Sequence, residues 1–329
     1  MKDNQKNSTN AAWITWEIQV RNRSMSKVLG VPLYEVLSKK SRWLKYPELL
    51  FETIKIIVNN KVKVLFVQNP SIVLSFLAIV LKPILNLTVI VDAHNSGIFP
   101  LEGKSKVLNF FARYICRRAN YTIVSNSYLA DFVTKWLGNP LVVPDPVPDF
   151  SHHKKNMSTR SKPYFLFICT WAADEPYDEI IKSARSLDDT IDIYVTGNYK
   201  KKLSTTQLAE LPKNLTLLGF VSESDYINYF CGALAVIDLT TRDNCLVCGA
   251  YEAVALGVPA LISDSRINRE IFYKGFAYTG NSAPEITENI LDVIENNKKL
   301  RTEINYFKDI YIADHTEKID QIRRILISE

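Results

Sequence analysis

Short apolar runs rich in β-branched residues recur along the chain, each followed by a stretch with helical spacing. In the first half they are Trp13–Val20, Leu33–Leu37, Val62–Val67, Leu87–Val91, Tyr121–Val124 and Leu141–Val143. Helical patterns over Pro47–Asn59, from Ser71, over Gly103–Arg118 and over Ser127–Trp136 separate them. Runs this short and this apolar suit parallel strands buried on both faces, and each parallel pair needs a crossover. That alternation confines the chain to the α/β class with doubly wound sheets. Pro144-Asp145-Pro146-Val147-Pro148 and the polar stretch Ser151–Lys162 interrupt the pattern. It restarts with Tyr164–Ile168, Asp192–Thr196, Leu215–Leu218, Ala233–Leu239 and Val258–Ile262, and Ile286–Asn296 and Lys298–Glu329 read as mostly helical. A chain of 329 residues is long enough for two such domains. The expected division is 1–148, 149–310 and a terminal helix over 311–329.

Charge is uneven. Residues 1–150 carry 19 Lys and Arg against 10 Asp and Glu, whereas the remainder is net acidic. A basic first half suits an anionic membrane surface or an anionic acceptor. It carries no signature of an RNA- or DNA-binding module, so nucleic acid is not an expected partner. Lys39-Lys40-Ser41-Arg42-Trp43-Leu44-Lys45-Tyr46 interleaves cations with aromatics. It reads either as a solvated loop or as a contact for lipid headgroups. The most apolar run, Ser71–Val91, is interrupted by Lys82, Pro83 and Asn86 and reads as helix, break and strand instead of a membrane span. The opening MKDNQKNSTN lacks the apolar core of a secretory signal. Five scattered cysteines point to a reducing compartment, and Cys245-x-x-Cys248 has no second Cys/His pair with which to hold a metal. The expected location is the cytoplasm, with peripheral attachment to the inner face of a membrane.

The most informative stretch is Thr240–Glu270. It follows the Ala233–Leu239 strand with a polar turn, then a helix from about Val247 to Leu256 that Gly257 closes, then the strand Val258–Ser263. Ligands of open α/β sheets sit at the carboxyl ends of strands. There the free N–H groups and positive dipole end of the next helix favour phosphate. Glu252 lies one turn inside a helix otherwise nearly uncharged; the alternative is an ordinary solvated glutamate. In the first half, His94 follows the Leu87–Val91 strand in a loop with Asp92 and Gly97. Either His94 or Asp92 could serve as a base toward a hydroxyl, against a purely structural role. Arg21-Asn22-Arg23-Ser24 reads as a polar loop after the first strand, placing Arg21, Arg23 and Ser24 on the acceptor side.

Tyr251-Glu252-Ala253-Val254-Ala255-Leu256-Gly257-Val258-Pro259, with Ser263, Asp264 and Glu270 beyond it, resembles the donor-site signature of GT-B glycosyltransferases of the family 4 type. The resemblance implies two Rossmann-like domains facing a cleft, with a C-terminal helix crossing back to the N-domain. It implies a nucleotide-sugar donor as co-substrate and a glycan or lipid-linked acceptor in cell-surface polysaccharide synthesis. The second acidic residue of the signature, here Glu252, binds the nucleotide ribose. The first handles the transferred sugar, and its position is held by Asn244 with Asp243 beside it; Cys248 and Gly249 stand at the helix start. A histidine after the corresponding N-domain strand, here His94, faces the donor sugar. Leu217–Glu223, with Phe220 and Val221, matches the strand end that meets the base, and Asn198 ends another strand near the same site. Thr170–Pro176 stands where the family places cations on the diphosphate and carries none, leaving Arg242 or Lys200–Lys202 for that charge. No Asp-x-Asp stands at a strand end, so no metal is expected. Two other readings remain: a sugar-nucleotide epimerase of the same architecture, and a GT-B subunit that binds a partner without catalysis.

Overall fold

The computed structural model describes residues 10–41, 43–69, 71–153 and 162–328. The opening polar segment, Arg42 of the cation–aromatic stretch and most of the polar Ser151–Lys162 stretch therefore lie outside the described residues. The chain divides into two compact units, Met1–Pro146 with Ala313–Glu329, and Val147–Ile312.

The first unit opens with β1 (Ala11–Thr15), α1 (Val20–Leu29), β2 (Leu33–Glu35), α2 (Lys45–Asn59) and β3 (Val64–Asn69). It continues with α3 (Ile72–Leu85), β4 (Thr88–Ala93), α4 (Asn95–Ile98), α5 (Lys106–Arg118), β5 (Tyr121–Val124), α6 (Ser127–Lys135) and β6 (Pro140–Val142). All strand pairs are parallel, in the order β2-β1-β3-β4-β5-β6. Alternate residues of each strand feed two cores. Leu65, Val67, Val89 and Val91 pack under α2, α3, α5 and α6, while Val64, Phe66 and Ile90 pack under α1.

The second unit runs β7 (Tyr164–Phe167), α7 (Tyr177–Ser186), β8 (Asp192–Thr196), α8 (Thr205–Ala209), β9 (Leu215–Gly219) and α9 (Glu223–Gly232). Then come β10 (Ala235–Asp238), α10 (Cys248–Leu256), β11 (Ala260–Ser263), α11 (Arg266–Ile271), β12 (Phe276–Thr279) and α12 (Ala283–Ser328). The order β12-β11-β10-β7-β8-β9 is again all parallel and reverses direction between β7 and β10. α12 begins against this unit's core and ends in the first unit, where Ile319 and Ile322 join Trp13, Met25 and Phe66.

Several expectations need correction. Arg21–Ser24 is not a loop: the first strand stops at Thr15, and these residues lie in α1. The polarity of Arg21 and Asn22 serves buried partners, whereas Arg23 is exposed. The helix before β4 does not break at Lys82–Pro83 but runs to Leu85 and ends at Asn86, in the left-handed region at φ 51°. Pro83 is tolerated because it lies in the last turn and removes only one ladder bond there. β3 extends through Asn69, two residues beyond the expected Val62–Val67 run. β12 was not anticipated, and the two terminal helical patterns are one helix. Among the described residues the cysteines form no disulfide. No helix among the described residues is long and apolar enough to cross a membrane.

Candidate active site

The reversal between β7 and β10 is the topological switch point of the second sheet, where open α/β sheets bind ligands. Two loops rise there. One follows β7 from Ile168 to Pro176; the other runs from β10 to α10. The β7 loop turns sharply at Trp171, whose φ is 64° and whose buried indole donates to the Thr196 carbonyl at 2.9 Å. Glu175 folds back into this loop. Its carboxylate accepts from the Thr170 N–H at 2.9 Å, the Thr170 hydroxyl at 2.7 Å and the Ala172 N–H at 2.9 Å. The Thr170 and Ala172 backbone donors of this loop are thus occupied by the chain's own anion.

The β10 loop is tied to the same place. Thr240 Oγ1 donates to Asp174 at 2.8 Å, and Arg242 Nε stands 3.4 Å from the same carboxylate. Asn244 adopts a left-handed φ of 54°, which a short polar side chain tolerates. α10 then starts at Cys248, which is exposed, followed by buried Gly249. Gly249 is required by packing: a Cβ there would run into Ile168 and the Asp238 carboxylate. Asp238, the last residue of β10, accepts the Gly249 N–H at 2.8 Å and so anchors the α10 amino end. Gly257 closes the helix at φ 69°.

Asp238 was missed as a site residue. It is 8% exposed, with no cation among its hydrogen-bond and ion-pair partners in the described residues. Burial pushes its carboxyl up to about 8; the Gly249 N–H opposes this, and the charges of Glu252 and Glu175 add to it. Glu252 is half-buried on α10 and accepts from the Tyr226 hydroxyl of α9. Burial raises its carboxyl too, and the Tyr226 bond only partly offsets this. Tyr226 was also missed; burial and the neighbouring Glu252 hold its phenol far above the usual range. Thr170, Arg242, Gly249 and Glu252 all belong to this cluster of strand ends. Asp243 is exposed, Asn198 caps the short turn over Tyr199–Lys201, and Phe220 stands 94% exposed at the end of β9 with Val221 beside it.

In the first unit the structure joins Arg21, Asp92 and His94. Asp92 lies inside β4 and is 1% exposed. Arg21 Nε reaches both its carboxylate oxygens, at 3.2 and 3.1 Å, while Arg21 Nη1 meets Asp145 at 2.5 Å and Nη2 the Val143 carbonyl at 3.1 Å. Burial alone would raise the Asp92 carboxyl, yet Arg21 and His94 together hold it well below the usual carboxylate range. Burial likewise opposes the Arg21 charge, but the two aspartates outweigh it and hold that guanidinium above its usual value. His94 Nε2 stands 3.6 Å from Asp92 Oδ2 with the ring 26% exposed. A second histidine, His315 of α12, was not anticipated; burial and then the Arg21 charge push it down to about 4. Arg23 and Ser24 are not brought into this group. Arg23 pairs with Glu35 on the surface, and the Ser24 hydroxyl donates to the Arg21 carbonyl. Beside the His94 loop, Gln68 Nε2 and Asn69 Oδ1 at the end of β3 are buried with no hydrogen-bond partner among the described residues.

Residues 149–309 match the family described as Glycosyl transferases group 1. The fold is that of GT-B glycosyltransferases. The sucrose-phosphate synthase of Thermosynechococcus elongatus superposes with a TM-score of 0.74 at 11% identity, covering 97% of this chain and 99% of that one. Anabaena Alr3699/HepE, in complex with UDP and glucose, gives 0.73 at 13% identity over 97% and 92%. A glycosyltransferase from Rickettsia africae ESF-5 gives 0.73 at 9% identity over 96% and 98%. No curated protein sequence matches the chain. The second unit carries the family match, and its switch-point loops carry the candidate donor residues.

Proposed function

We propose that the chain is a glycosyltransferase whose second unit binds a uridine diphosphate sugar and whose first unit binds a glycan or lipid-linked acceptor presented at the inner face of a membrane. The observation that carries this reading is the strand–loop–helix unit at the β7/β10 switch point, with Glu252 one turn inside α10. The UDP complex of HepE supports the choice of donor. Glu252 is assigned to the ribose hydroxyls, the α10 amino end and Arg242 to the diphosphate, and Phe220–Val221 to the base. No divalent ion is assigned to the leaving group, so transfer should survive EDTA. His94, backed by Asp92, is assigned to the acceptor hydroxyl; Asp92 itself, buried and held ionised by Arg21, is assigned to orienting that imidazole.

The test is calorimetric binding of UDP-glucose together with turnover. Glu252→Ala removes charged-acceptor bonds worth roughly 1.5–3 kcal/mol each before water compensates, so donor affinity should fall at least tenfold, about 1.4 kcal/mol. His94→Ala should lower turnover far more than donor affinity. Unchanged binding in a folded Glu252→Ala chain would remove the donor assignment. A second reading, a GT-B subunit that binds without catalysis, draws on one observation: Glu175 fills the β7 loop donors where a diphosphate would sit. It predicts donor binding without product. An epimerase would instead convert donor with no acceptor present.

A further inference from the structure

The first unit has a second distinctive region at the opposite, amino-terminal ends of its strands. A cavity of about 1030 Å³ opens beside the starts of β4 and β5 at Thr88 and Tyr121, lined by Lys63, Lys82, Arg117 and Arg118 and by no acidic side chain. None of these four cations has an acidic partner among the described residues. Crowding is evident: burial and the Arg118 charge lower the Lys82 ammonium below its usual value, while its Nζ donates to the Arg118 carbonyl at 2.9 Å.

The cavity adjoins an apolar outer face. α3 and α5 pack through Phe76 and Phe111, whose rings meet edge to face at 5.3 Å. Outward from that seam, Val107, Phe110 and Tyr114 follow one another at helical spacing on α5, and Val73, Val80 and Ile84 do so on α3; all six are exposed. Lys106, Arg113, Arg117 and Arg118 flank the α5 stripe and are exposed as well. Scattered exposed apolar residues are ordinary, but two adjoining stripes bordered by cations are not. An amphipathic face with apolar side chains and Lys/Arg at its rim is the arrangement that lies in the headgroup layer.

We propose that the α3–α5 face docks on an anionic bilayer, with Lys82, Arg117 and Arg118 taking a lipid phosphate and Val107 and Phe110 entering the acyl boundary. This builds on the reading of a membrane-presented acceptor, and it moves the contact away from the Lys39–Tyr46 stretch. That stretch also exposes apolar groups, Trp43 and Leu44 among them, but its charge is mixed: Lys40 stands 3.3 Å from Glu48, and Glu52 follows on the same helix. The bilayer is favoured over a protein partner because the cations are unopposed and each one near an anionic surface contributes about fivefold to partitioning.

The test is flotation of the full chain with vesicles of 70% phosphatidylcholine and 30% phosphatidylglycerol, against pure phosphatidylcholine, at low salt. Binding is expected only to the anionic vesicles and should weaken in high salt. Arg117→Ala/Arg118→Ala should weaken it about 25-fold, and Val107→Ser/Phe110→Ser should abolish the part that resists salt. Lys39→Ala/Lys40→Ala/Trp43→Ala should change it less than twofold. All these side chains are exposed, and an unchanged melting temperature for each variant confirms folding. The proposal is overturned if the parent does not float, if the α5 variants float as the parent does, or if the Lys39 variant alone loses binding. A thermal shift with inorganic phosphate but no flotation likewise overturns it, marking the cavity as a free-phosphate site. No donor is present in the flotation, so its failure is distinct from failure of the donor reading.

Discussion

Asp92 and Asp238 occupy comparable places, each near the carboxyl end of a central parallel strand and each almost fully buried. They titrate in opposite directions. Asp92 meets a guanidinium and falls below the carboxylate range, whereas Asp238 meets one backbone N–H and two neighbouring acids and rises to about 8. Burial penalises both charges, so the sign of the neighbour decides the outcome. The first unit therefore keeps a fixed, paired negative charge behind His94. The second keeps a carboxyl poised near neutrality at the foot of α10.

The comparison breaks most sharply at Arg21. Arg21→Met leaves Asp92 and Asp145 without their shared cation, and removing one partner of a buried pair costs about 3–5 kcal/mol. Urea denaturation at pH 7 should show that loss, with part of it recovered in Arg21→Met/Asp92→Asn. In the parent, the Asp92 carboxyl sits lower folded than unfolded. Its contribution is therefore complete above pH ~4 and is lost as pH falls below that value. The Arg21→Met variant should lack this acid-side loss. A cost under about 1 kcal/mol would mean that water, not Arg21, solvates Asp92.

Asp238 gives the opposite slope. Its folded carboxyl is raised, so between pH ~4 and about 8 the native chain holds a proton that the unfolded chain has released. Stability then falls as pH rises through that window, by at most about 1.4 kcal/mol per pH unit from this group. Asp238→Asn keeps an acceptor for the Gly249 N–H and has no proton to lose. Denaturation curves from pH 5 to 8 should show the variant gaining steadily on the parent, and parallel curves would show that Asp238 is ionised throughout.

What could be read from the chain divides along the same line. The α10 unit was legible because its parts are contiguous: a strand, a turn, small residues at a helix start, and Gly257 at φ 69°. The alternation of strands and helices was legible for the same reason. Arg21 was not, because its partners lie 71 and 124 positions away and a buried arginine looks in sequence like a solvated one. Asp238 sits inside the apolar Ala233–Leu239 run and gives no signal of its own, since its environment depends on Glu175 and Glu252 from other elements. β12 is four residues between Gly275 and Gly280, too short to show a period.

Glu175 offers a smaller test of the acidic half. Like charges about 4 Å apart in water repel by about 1 kcal/mol, so Glu175→Gln should tighten UDP about fivefold by calorimetry. The gain should shrink in high salt. Weaker binding would mean that the carboxylate organises the Thr170–Ala172 turn for the ligand instead of competing with it.

The smallest effect is expected two residues from the largest. Arg23 shares α1 with Arg21 and also forms a two-point ion pair, Nε to Glu35 Oε1 at 2.7 Å and Nη2 to Oε2 at 2.9 Å. By hydrogen-bond geometry this pair is the better of the two, yet Arg23 is exposed and water can replace what a substitution removes. Arg23→Ala should leave the urea midpoint within error of the parent, at pH 5 as at pH 7. Because Arg21 and Arg23 have the same side chain on the same helix, the contrast isolates burial from geometry. A clear loss at Arg23 would show that the β2 edge depends on this pair. It would also weaken the claim that the buried environment of Asp92, and not the bidentate contact itself, makes Arg21 indispensable.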